Sequence, residues 1–381
     1  MKDFRRLLQY AGLVRRVFYK GRSLPIYLIC FITARCPAKC KHCFNWHRQT
    51  DGSADTELTI DEYEKISRSM GDLAFVFLTG GEPHLRDDFP EIARIFHKNN
   101  RAIRIQSPTN GFDPDRILRH VEEILQTCPE LQFGQGVSLD GIGDEHDKQR
   151  DLPGLFDRAV ETIKGLRKLA DRYPNFALCS PITISAFNQD TIVELYHFMR
   201  DKLGAGNFFV NYVRGTPRDP GASDLSIERY CEISDQIDAD LESAHTLGYQ
   251  HVLGHQWFNA KNLITRDVVK KTVLENRRVI PCYAGQLAGV IYENGEVNAC
   301  ELINEPLGNL RENDYDMKRV WHSEKADAVR TRIRREKCRC THECFMSTNI
   351  LFNPWLLTRC TAMVAKSAIC KLLSRSAQKD G

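Results

Sequence analysis

Leu24-Pro-Ile-Tyr-Leu-Ile-Cys-Phe-Ile-Thr-Ala-Arg35 runs directly into Cys36-Pro-Ala-Lys-Cys40-Lys-His42-Cys43. A continuous apolar run rich in β-branched and aromatic residues reads as a buried strand. The thiols follow on the loop where that strand ends. Cysteines spaced x3 and x2 can close on one face of an iron–sulfur cube, because each turn is short enough to aim its sulfur inward. Such a cube has four iron corners, so three thiolates leave one iron without a protein ligand. The same cysteines suit a structural zinc site if a fourth ligand joins them. His42 is the nearest candidate, but it would have to turn back sharply beside Cys43.

The chain has 381 residues, 42% apolar and 27% charged, with a net charge of +3. That length allows one large α/β domain and a smaller second one. The charge is too small to imply a nucleic-acid partner. Residues 1–22 are broken up by seven Lys and Arg residues and hold no signal-peptide core, and no run reaches the length of a membrane span. Fourteen cysteines are therefore expected in a reducing cytoplasm, where clustered thiols mean metal more often than disulfide.

Residues 1–23 form an expected basic amphipathic helix, with Phe4, Leu7, Leu8, Ala11, Val14, Val17 and Phe18 at helical spacing. It suits either the end of a domain or a membrane surface. Strand-like runs then occur at 26–33, 75–78, 102–106, 131–139, 176–184 and 208–213. Amphipathic helical stretches alternate with them at 60–70, 90–98, 114–128, 155–173 and 191–203. Six β/α units imply a parallel sheet with right-handed crossovers, short of the eight that close a full barrel. The expected fold is a partial (β/α)6 barrel over 24–215, its site at the C-terminal strand ends. A bridging helical segment follows (216–281), then a small cysteine-rich domain (282–360) and a basic tail helix (361–381).

Three strand ends carry polar motifs. Gly80-Gly81-Glu82-Pro83 ends the second strand; paired glycines let backbone approach a ligand, and Glu82 suits an ammonium group. Asn110, in Thr109-Asn-Gly111, ends the third. Ser138-Leu-Asp140-Gly ends the fourth and suits ribose hydroxyls, with Arg150 suited to a carboxylate. That segment also reads as a capped turn into the next helix. Asn211 to Arg214, after the sixth strand, points to the same rim.

CxxxCxxC followed one β/α unit later by GGEP resembles the radical S-adenosylmethionine (SAM) enzymes. The resemblance implies a [4Fe–4S] cluster on Cys36, Cys40 and Cys43, with SAM on its open iron and against Gly80–Pro83, Asn110, Ser138, Asp140 and Arg150. It implies reductive cleavage of SAM to a 5′-deoxyadenosyl radical that abstracts hydrogen from a substrate, with the electron supplied by a flavodoxin- or ferredoxin-type donor. Cys282-x12-Gly295-x4-Cys300, followed by Cys338, Cys340 and Cys344, resembles the SPASM/twitch extension. It implies one auxiliary [4Fe–4S] cluster, or two. CxCxxxC departs from the SPASM spacing, and a zinc ribbon remains an alternative. Residues 289–300 read as a β-hairpin with an Asn-Gly turn. The substrate expected is a peptide or protein side chain, or a lipid or other small molecule. The basic terminal helices suit peripheral contact with a membrane from the cytoplasm. The competing reading is a non-catalytic iron–sulfur or zinc protein serving electron transfer or as a scaffold.

Overall fold

The computed structural model describes residues 2–19, 23–49, 54–242 and 255–377; side chains 1–7, 19, 242, 255 and those from 367 onward lie outside the description. Helix α1 (Lys2–Tyr19) leads to β1 (Tyr27–Thr33). Then follow α2 (Ile60–Ser69), β2 (Phe75–Gly80), α3 (Phe89–Asn100), β3 (Arg104–Thr109), α4 (Pro114–Thr127) and β4 (Gln132–Val137). Next come α5 (Asp144–Arg150), α6 (Leu155–Arg172), β5 (Phe176–Ile184), α7 (Ile192–His197) and β6 (Phe208–Tyr212). Helix α7 passes into a π-helical turn, Phe198–Lys202. Strands β1 to β6 lie side by side in chain order and pair in parallel. This is the expected partial barrel.

The strand period of two divides the side chains. On β1 and β2, Leu28, Cys30, Ile32, Val76 and Leu78 are buried in the main hydrophobic core. Tyr27 and Phe31, which belong to the same core, line the inner cavity together with Phe75, Phe77 and Thr79. Caps set where the helices begin: Thr59 and Glu62 form a reciprocal capping box on α2, and Asp113 accepts from Arg116 N on α4.

The bridging segment contains α8 (Ile227–Glu242) and α9 (His255–Leu274). The expected hairpin is present as β7 (Ala288–Ile291) and β8 (Glu296–Asn298), antiparallel, with Gly295 at φ 85° in its turn. Its placement is new information. β7 pairs in parallel with β1, Tyr27 beside Ala288, and β9 (Pro306–Asn309) completes a nine-stranded sheet. The cysteine-rich part thus extends the sheet that carries the first thiols. Helices α10 (Met317–Trp321), α11 (Glu324–Glu336), α12 (Glu343–Leu351) and α13 (Pro354–Ala377) follow. Ala260, Ile264 and Val268 of α9 pack with Met346, Ile350, Leu356 and Cys360 in a satellite core. Phe258 and Lys261 of α9 and Glu343 and Cys344 of α12 line the same cavity as the strand residues.

Leu13 of α1 is buried, whereas Leu8, Val14 and Phe18 are exposed. Phe4 and Leu7 fall outside the described side chains, as do 243–254 beyond α8. Among the described residues no helix is long and apolar enough to cross a membrane.

Candidate active site

Cys36, Cys40 and Cys43 line one large cavity at the C-terminal ends of the strands, together with Gly80, Gly81, Glu82, Asn110, Ser138 and Arg150. Their loop begins where the β1–β2 ladder slips, between Phe31 and Thr33. Backbone bonds then hold it on three sides. Gly81 N donates to Thr33 O at 2.9 Å and Glu82 N to Arg35 O at 2.8 Å. Lys39 N and Lys41 N donate to Arg150 O and Gln149 O, both at 3.0 Å, and Arg218 N donates to Cys43 O at 3.0 Å. A loop pinned this way presents its sulfurs with little conformational freedom left to lose on binding metal.

Burial pushes all three thiols up, Cys43 to about 11. Arg150 and Arg218 partly offset this at Cys40 and Cys43. The protein alone therefore keeps the sulfurs protonated, and metal must displace those protons to bind. His42 is engaged elsewhere: its Nδ1 lies 3.3 Å from Gln149 Nε2 and its Nε2 3.6 Å from Asp140 Oδ2. That leaves a three-thiol set, which fits a cube with one open corner better than a four-ligand zinc site.

Glu82 is buried on the strand-end turn. It accepts from Thr109 Oγ1 (2.8 Å), Asn110 N (2.8 Å) and His84 N (3.3 Å). Burial raises its carboxyl to about 7 against those hydrogen bonds. Asn110 Nδ2 is 3.9 Å from Cys36 Sγ. Pro83 starts the following 3-10 turn and does not line the cavity.

Asp140 is also set back from the cavity wall. It holds Arg150, accepting from its Nε at 2.8 Å and from Nη2, and receives Thr183 N at 3.0 Å. Burial opposes its charge, but Arg150, His42 and His146 hold the carboxyl down to about 2. Asp140 thus orients Arg150, and Arg150 faces the cavity.

The auxiliary thiols divide. Cys344 lines the cavity, whereas Cys282, Cys300, Cys338 and Cys340 do not. Several cavity residues lie outside the sequence motifs: Arg104 on β3, Phe258 and Lys261 on α9, Glu301 after β8, and Glu343 at the start of α12. Burial lowers Lys261 to about 8 and raises Glu343 to about 7. Arg104, a cation inside a strand pattern, carried a signal in the sequence. Lys261 and Glu343 did not, because only the packing of α9 on α12 brings them here.

The family model described as "Radical SAM superfamily" matches residues 30–199. The chain belongs to the radical SAM superfamily. A second model, the SPASM iron–sulfur cluster-binding domain, matches residues 282–345. The chain is similar to the AdoMet-dependent heme synthase of Methanosarcina barkeri, 25% identical over 303 residues, 77% of this chain and 80% of that one. The Fe-coproporphyrin III synthase of the same organism is 27% identical over 244 residues, 60% of this chain and 57% of its own. Among solved structures, Streptococcus suis SuiB bound to its precursor peptide SuiA has the same fold, with a TM-score of 0.60, 16% identity, and coverage of 85% of this chain and 71% of that one. This radical SAM enzyme uses SAM, a [4Fe–4S] cluster and auxiliary iron–sulfur chemistry. When bound, such a cluster would supply the single electron for reductive cleavage of SAM. The chain's own part is to hold, orient and screen the reactants.

Proposed function

We propose that Gly80–Glu82, Asn110, Ser138 and Arg150 cradle SAM against the iron left open by Cys36, Cys40 and Cys43. A cation arriving beside Glu82 favours its ionised form, which burial alone disfavours. Arg150, fixed by Asp140, offers a fork to a carboxylate.

The remaining cavity takes a substrate with an apolar body and carboxylate arms. The observation that carries this reading is the wall itself: Tyr27, Phe75, Phe77, Phe209 and Phe258 line it together with Arg104 and Lys261. Flat apolar surface packs on such rings, and cations in a low-dielectric wall recognise carboxylates. Heme and Fe-coproporphyrin III, named for the two Methanosarcina relatives, are flat macrocycles with carboxylates. An external flavodoxin- or ferredoxin-type donor supplies the electron.

The test is anaerobic reconstitution, then dithionite, SAM and either an iron porphyrin carrying carboxylates or its methyl ester. The expected outcome is 5′-deoxyadenosine formation stimulated by the free acid, weakened at least about tenfold in KM by Lys261→Met, and absent in the Cys36→Ala/Cys40→Ala/Cys43→Ala variant. Equal stimulation by acid and ester, or by neither, removes the substrate reading and leaves the SAM chemistry standing.

A further inference from the structure

The cavity separates Cys344 from the other auxiliary thiols, and two unlike side chains stand beside it. Glu301, His342 and Cys344 offer an oxygen, a nitrogen and a sulfur, all within 4.8 Å of one another. They converge through the fold. Glu301 directly follows Cys300 after β8, while His342 caps the short helix whose first turn carries Cys344.

His342 is the informative member. It is 0% exposed, and its Nδ1 has no hydrogen-bond partner. Nε2 lies 2.9 Å from Glu301 Oε1. A buried imidazole nitrogen left unsatisfied is costly and calls for a partner. Arg214, Lys261, Glu301 and Glu343 line the cavity together with Cys344, whereas Cys282, Cys300, Cys338 and Cys340 do not.

We infer that Glu301, His342 and Cys344 form a metal site of their own, apart from the auxiliary cluster, for a single borderline divalent cation such as Zn²⁺ or Fe²⁺. Mixed O, N and S donors suit those ions. Binding displaces the Cys344 thiol proton to solvent, so one thiolate and one carboxylate neutralise the dication. Arg214, whose Nη2 is 3.2 Å from Glu301 Oε1, steadies the carboxylate. Three protein donors leave a coordination position vacant. Glu301 and Cys344 both line the cavity, so that position opens on the bound substrate and offers it a Lewis acid. The auxiliary cluster is then left with Cys282, Cys300, Cys338 and Cys340, a complete set of four.

The test is metal analysis of the holoenzyme. Protein reconstituted with iron and sulfide is desalted, exposed to zinc, desalted again and assayed for both metals. Wild type is expected to retain about one zinc per chain, and His342→Ala, Cys344→Ser and Glu301→Gln to lose it. Iron and sulfide stay at the wild-type level in all three, which also certifies that each variant has folded. Iron falling by one cluster's worth in Cys344→Ser would place that thiol in the auxiliary cluster and overturn the inference. So would zinc missing from wild type, or held equally by the variants. None of these readouts involves substrate or SAM cleavage, so the outcome is separable from the functional reading above.

Discussion

Gly81 shows how closely the two best-marked motifs depend on each other. A Cβ there would sit 2.2 Å from Arg35 O and 2.8 Å from Cys36 Cβ, so any side chain pushes the cysteine loop away. Gly81→Ala is expected to destabilise the fold by about 1–3 kcal/mol and to cut the iron retained on Cys36, Cys40 and Cys43. Thermal melting and iron analysis check the two effects separately. These motifs were legible in the sequence because their chemistry is local: three thiols in one loop, two glycines at one turn. Asp140 was less so. The alternation that puts neighbouring side chains on opposite faces lapses once β4 ends at Val137, and Asp140 then turns inward to Arg150. Cys344 was marked by the cysteine spacing, but Glu301 and Lys261 carry no local pattern; long-range packing alone brings them to it.

Among the elements, α2 and the turn after β9 make a clamp between the barrel and the cysteine-rich part. Arg311 donates to both oxygens of Glu62, at 2.7 and 3.0 Å, and to the carbonyls of Thr56 and Glu57, while Tyr315 Oη donates to Glu62 at 3.0 Å. The Arg311 bonds lead in holding the Glu62 carboxyl down to about 2, from 4.5. A depressed carboxyl stabilises the fold above its unfolded value and loses that contribution as protons bind the folded form. Glu62→Gln should therefore cost about 1–2 kcal/mol near neutrality. Its deficit should shrink as pH falls through 4.5 towards 2, as read by denaturant melts across that range. Element identities were well marked by periodicity and caps, from the six parallel strands to the hairpin. The short helix α5 was read only as a turn, since seven residues give too little periodicity to see. The docking of β7 against β1 was invisible, because a four-residue apolar strand names no neighbour.

For the molecule as a whole, that docking means one sheet serves both iron–sulfur regions. β1 leads into the cysteine loop at one end and is flanked by β2 and β7. Cys282 and Cys300 lie on either side of the β7–β8 hairpin, so the backbone pairing of β7 with β1 joins their segment directly to the strand that leads into the first cysteine loop.

That pairing has a consequence for how the protein is made. The ribosome delivers β7 some 260 residues after its neighbour β1, from Tyr27 to Ala288. Throughout that interval one long apolar flank of the nascent sheet stands bare, an invitation to stick to any other chain in reach. A polypeptide stopped at residue 281 should accordingly go into inclusion bodies or onto chaperones, whereas supplying 282–377 in trans should return part of it to the soluble fraction. If the shortened chain stays soluble and monomeric by sedimentation, the exposed flank is harmless. If it does not, birth order on the ribosome is a hazard that the cell must manage before any iron is inserted.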